Sequence, residues 1–186
     1  MVLERLRRAT RPIHADIERI IDILPIPTRA RYTWFLAKQY GFLVPLEAAW
    51  DACPLSAELD LPARRRAPLL VSDLSVLGLD AGRLPLCHAL PPLGDPAQAL
   101  GALYVVEGST LGGRALAPRV GEALGLGPEQ GAAFLHGRGA RTLTMWKTFC
   151  AHVEALAAGE PQQVPAMVDA ARDCFERLRR WFKETE

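Results

Sequence analysis

Residues 96–117, PAQALGALYVVEGSTLGGRALA, read as a helix that carries more glycine than a helix ordinarily tolerates. Pro96 suits a first turn, where its missing N–H has no intrahelical partner to lose. The helix is expected to run towards Ala117, with Pro118 kinking or ending it. Each glycine inside such a helix costs about 1 kcal/mol relative to alanine. Gly108 and Gly112 stand four apart, so they share one face and lay bare a flat strip of backbone. Either a neighbouring helix packs closely on that strip, or a flat ligand does. Gly112-Gly113 also admits a third reading, as a helix end. Spacing excludes two other motifs: the stretch has no GxxxxGK[ST], and Glu107 stands two before Ser109 where a GxSxG elbow needs glycine.

The rest of the chain repeats the helical period. Leu3, Leu6, Thr10, Ile13, Ile17, Ile20 and Leu24 form one stripe, with Pro12 predicting a kink or a helix start at Thr10. Pro25 and Pro27 close that segment. A second helix, about Thr28 to Ala52, carries Tyr32, Phe35, Leu36, Tyr40, Leu43, Leu46 and Trp50. Residues 53–96 are richer in proline and glycine, with a helix expected at about Ala63 to Leu77. Further helices are expected from about Gln130, or from Thr142, to Ala158, and from Val164 to Lys183. No strand, hairpin or repeat signal stands out. The chain predicts one all-α domain of six to eight helices spanning residues 1–186.

Composition narrows the function classes. A formal net charge of +1 gives no basic surface for nucleic acid. The excess of arginine over lysine, 19 against three, fits codon bias as readily as carboxylate or phosphate recognition. No apolar run reaches membrane-span length and no signal-peptide pattern is visible, which predicts a cytoplasmic protein. Cys53, Cys87, Cys150 and Cys174 form no CxxC pair and read as reduced thiols. The dipeptide Cys53-Pro54 reads as loop.

His14 lies beside the first apolar stripe, with Glu18 at i+4, close enough for their side chains to meet. A ligating imidazole is neutral at the bound nitrogen, and its other N–H is commonly fixed by a carboxylate. The pair therefore reads either as a metal ligand with its support or as a stabilising contact at the core edge.

The two features fall into order with a known family. Residues 6–18, LRRATRPIHADIE, resemble the proximal helix of haem oxygenases, and residues 104–113, YVVEGSTLGG, resemble their distal helix. Tyr32 to Trp50, ending in Pro45-Leu46-Glu47, is similar to the family's second helix, and the likeness is closest to bacterial, bilin-producing members associated with bacteriophytochromes. The resemblance implies a haem oxygenase-like helical bundle. In it His14 is the axial iron ligand and Glu18 holds the imidazole nitrogen not bound to iron. Gly108, Ser109 and Gly112 line the catalytic face, and Arg7 meets a haem propionate. Tyr104, Gly113 and Lys147 complete the implied haem-binding set, with Arg138 and Arg141 as further propionate candidates; Trp146 and Phe149 are expected in the wall or core.

The resemblance further implies that haem is both substrate and cofactor. With O2 and electrons from a ferredoxin or flavoprotein reductase, it is cut at a meso carbon to biliverdin, CO and iron. A bacteriophytochrome is the implied receiver of the bilin. Animal members carry an aspartate where this chain has Ser109; bacterial relatives also lack the acid. A non-catalytic haem-binding sensor or carrier is the alternative. A di-iron helical enzyme is disfavoured, because no glutamate has histidine at +3.

Overall fold

The computed structural model describes residues 1–22, 27–53, 55 and 59–184; Leu24, Pro25 and Pro54 lie outside them. Eight α-helices occur among the described residues: α1 (Val2–Ile21), α2 (Arg29–Ala49), α3 (Leu61–Arg64), α4 (Ala67–Val76), α5 (Pro96–Leu124), α6 (Ala133–His136), α7 (Arg141–Gly159) and α8 (Val164–Lys183). The described residues contain no strand.

Local chemistry sets most of the boundaries. Thr28 Oγ1 accepts from Arg31 N at 3.2 Å, and Asp95 accepts from Gln98 N at 2.9 Å, so both long helices α2 and α5 start on side-chain caps. Gly125 ends α5 in the left-handed region at φ 67°, where glycine carries no Cβ penalty. The end of α1 is held from outside: Arg31 donates from Nε to Ile21 O at 2.8 Å and from Nη2 to Ile20 O.

Several expectations are corrected. Pro12 neither starts nor splits α1, and Thr10 is not a cap; its hydroxyl donates to Leu6 O at 2.9 Å inside a continuous helix. Pro12 is exposed while Ile13 and Ile17 beside it are buried, so packing outweighs one missing backbone bond. The same holds at Pro118, exposed within α5, which continues seven residues past Ala117 because Val120 is buried. Gly112-Gly113 is therefore mid-helix. The helix expected over Ala63 to Leu77 is two, broken at Arg65 and Arg66, with Pro68 in the first turn of α4. The alternatives at Gln130 and Thr142 resolve into the short α6 and the longer α7.

The packing order creates the site. The most extensive helix contacts are α5 on α8 and α1 on α8, whereas no comparable contact joins α1 to α5. Gly101 is the reason α5 lies so close to α8: a Cβ there would overlap Met167 O and sit 2.8 Å from Ala170 Cβ. Helix α8 thus carries α1 and α5 side by side and holds them apart. The core beneath them includes Leu6, Tyr32, Leu36, Leu103, Phe149 and Cys174, all buried.

Candidate functional site

A cavity of about 790 Å³ opens between α1 and α5, within the size range of small-molecule and cofactor sites. One wall is α1, with His14, Ile17, Glu18 and Ile21. The facing wall is α5, with Val105, Ser109, Gly112, Gly113 and Leu116. Its aromatic lining comes from four buried side chains, Phe35 and Phe42 of α2, Phe134 of α6 and Phe175 of α8. Gln39 of α2 supplies a polar side chain to the same lining, and Arg119 a basic one.

On the α1 wall the His14 side chain is half exposed, and its ring meets Phe175 edge-on at 5.7 Å. Nδ1 lies 3.6 Å from Glu18 Oε1, close enough for electrostatic orientation although longer than a good hydrogen bond. Nε2 is then the ring nitrogen left without a carboxylate. On α5, a Cβ built on Gly112, in the lining, or on Gly108, outside it, would meet nothing within 4 Å. Neither glycine is needed for helix packing. Gly113 differs, because a Cβ there would lie 3.1 Å from Leu135 O, so it serves the contact with α6 as well as the cavity wall.

His14, Glu18, Ser109, Gly112 and Gly113 are thus brought to one cavity. Arg7, Tyr104, Gly108 and Lys147 do not line it. Arg7 and Tyr104 are nonetheless neighbours: Tyr104 stands beside Thr10 and in the field of Arg7, while burial pushes its phenol above the ordinary range. The Tyr104 ring also meets Trp146 at 6.0 Å, and Trp146 meets the buried Phe149 at 5.6 Å, which places both α7 aromatics in packing. Lys147 and Arg141 are exposed on α7. Arg138 is not available to a propionate. Its side chain is 5% exposed, pairs with Glu107 at 3.1 Å and donates to Ala63 O and Arg64 O.

Sequence reasoning missed Arg66. It lies in the run Arg64-Arg65-Arg66, which looks like a solvated charge cluster, yet only Arg65 behaves so. Arg66 is fully buried and donates from Nη1 to Ser109 Oγ at 2.7 Å and from Nη2 to Phe134 O at 3.0 Å. Its backbone N–H donates to the buried Glu47 carboxylate at 2.7 Å. Burial pushes the Glu47 carboxyl above the usual range, against the pull of those backbone donors. The aromatic lining was also only partly legible: Phe35 and Phe175 fit the helical stripes of α2 and α8, while Phe134 carried no periodic signal.

The slot in this helical bundle thus has an accessible histidine on one wall and bare glycine backbone on the other. The family model described as Heme oxygenase matches residues 1–184, and the chain belongs to that family. It is similar to a curated heme oxygenase of Xanthomonas campestris pv. campestris (strain 8004), 49% identical over 55 residues, or 29% of this chain and 30% of that relative's length. The fold is shared with the NO- and CO-bound heme oxygenase from Neisseria meningitidis, at TM-score 0.78 and 24% identity over 100% of this chain and 94% of that one. Among the described residues no helix is long and apolar enough to cross a membrane.

Proposed function

We propose that the chain is a catalytically active haem oxygenase, converting haem, O2 and electrons into biliverdin, CO and iron. One observation carries the reading: the cavity between α1 and α5 faces a half-exposed imidazole with glycine backbone that no neighbour requires. The fit to iron protoporphyrin is favourable in volume, in the aromatic lining and in the single nitrogen ligand. Haem, when bound, supplies the redox and oxygen chemistry.

The chain's own residues supply position and environment. His14 Nε2 would hold the haem iron, with Glu18 orienting the ring through Nδ1. Bare backbone at Gly112 keeps the wall facing His14 free of a side chain there. Ser109 offers a polar contact on that wall, and Phe35, Phe42 and Phe134 exclude water where they line the cavity. Arg119 in the lining and, outside it, Arg7 beside Tyr104 and Lys147 on α7 are the basic groups that would meet the propionates; charge-assisted bonds from arginine or lysine favour that role. Electrons come from a ferredoxin or a flavoprotein reductase, the bilin passes to a bacteriophytochrome, and the setting is the cytoplasm.

Hemin titration followed by reductant in air tests this. Wild type is expected to give a histidine-ligated Soret band that decays as a bilin band rises, and His14→Ala is expected to lose the ligated spectrum. Hemin that stays intact under reductant identifies a haem-binding carrier instead. An unchanged spectrum in His14→Ala removes His14 as the ligand.

A further inference from the structure

Behind the α5 wall, three guanidinium groups lie near two buried carboxylates. Glu107 is fully buried and paired with Arg64 at 2.8 Å and Arg138 at 3.1 Å. Glu47 directs its oxygens to the backbone N–H groups of Arg66 and Ala67. Among the described residues no carboxylate contacts the Arg66 guanidinium. Its hydrogen bonds go to Ser109 Oγ and Phe134 O, it lies over the Phe134 ring at 3.9 Å, and its Nε has no partner. Burial and the neighbouring Arg138 pull it down to about 9, which leaves it charged at neutral pH.

Both acceptors of this cation belong to residues of the cavity lining. Ser109 Oγ accepts from Arg66 and donates its own proton to Val106 O at 2.8 Å, a carbonyl inside α5. The hydroxyl is polarised from behind by a full charge, and an acceptor entering the slot competes with Val106 O for its proton. An anion competes best, because the buried guanidinium behind Ser109 is unscreened by salt and acts through a low dielectric.

We propose that Arg66 makes the slot select anionic ligands on the haem face opposite His14, with Ser109 passing the hydrogen bond forward. The inference rests on the haem reading above. Arg66 acts here as a positioning residue: it does not reach the ligand, but it fixes the Ser109 hydroxyl and stabilises negative charge that forms in front of it. Selectivity between an anionic and a neutral ligand isolates this role, since a loosened pocket weakens both alike.

The test uses hemin-loaded wild type, Arg66→Gln, Arg66→Lys and Ser109→Ala. Azide is titrated on the ferric protein and carbon monoxide on the reduced protein. Arg66→Gln is expected to weaken azide binding by about tenfold or more, the scale of losing one nearby buried charge, with little change in carbon monoxide affinity. Arg66→Lys recovers part of the azide affinity, and Ser109→Ala loses part of it. Azide affinity unchanged in Arg66→Gln, or azide and carbon monoxide falling together, overturns the proposal. Should Arg66→Gln not fold, Ser109→Ala decides: retained azide affinity there overturns the proposal, and a selective loss supports it. A wild type that takes up no hemin shows in the first Soret titration, and overturns the haem reading and this inference with it.

Discussion

Two stretches of one face of α5 use glycine for opposite purposes. At the α8 crossing, Gly101 has no spare room, since an added Cβ would overlap Met167 O and sit 2.9 Å from Ala171 N. Further along the same face, an added Cβ at Gly108, or at Gly112 in the cavity lining, meets nothing within 4 Å. The same helix therefore contains glycine that the fold demands and glycine that the fold merely tolerates. Helix propensity penalises all three about equally, so Gly112 serves the space in front of it.

Removing the carboxylate buried behind the α5 wall is expected to have the largest effect. Glu107→Ala leaves Arg64 and Arg138 buried without their carboxylate and is expected to cost about 3–5 kcal/mol in urea unfolding. A loss near zero would mean that water or a neighbouring group replaces the carboxylate, and that this wall is not rigid. Next comes Gly101→Ala, where backbone atoms of α8 must move; a cost of about 1–3 kcal/mol is expected from overpacking. Unaltered stability there would erase the distinction between the two stretches.

A smaller, pH-dependent effect belongs to Glu47. Its native carboxyl holds a proton more tightly than the ordinary value of 4.5, so protonation favours the folded state. Stability from this group is present below that ordinary value and is lost as pH rises through the raised one. Glu47→Gln keeps one oxygen able to accept from Arg66 N and Ala67 N, and it is expected to gain on wild type as pH increases from 4.5 towards neutrality. Urea midpoints at the two ends of that range check the sign, and a variant that falls further behind wild type at neutral pH contradicts it.

The helical class was legible because apolar residues at three and four spell α1, α2 and α8 directly; the last helix was anticipated at its observed ends, Val164 and Lys183. The boundary readings failed at Pro12 and Pro118, where the helix runs through. A solvent-facing proline loses one backbone bond, whereas the buried stripe beside it keeps the helix intact. The facing of His14 and Gly112 across a cavity was foreshadowed by resemblance; spacing alone left it open between packing and ligand. Arg66 was illegible, since three consecutive arginines look alike in sequence and only the break between α3 and α4 turns one of them inward. Arg138 failed for the mirror reason: it sits in a loop that reads as surface, yet the buried Glu107 draws it in.

The central claim is that Gly112, in the slot, exists for a ligand and Gly101, at the α8 crossing, for the fold. The most direct measurement pairs unfolding free energy with hemin affinity for Gly112→Ala. Stability of the hemin-free protein is expected to hold or rise, by up to about 1 kcal/mol from helix propensity, while hemin binding and turnover fall. A variant that loses stability yet keeps wild-type hemin affinity would contradict the account.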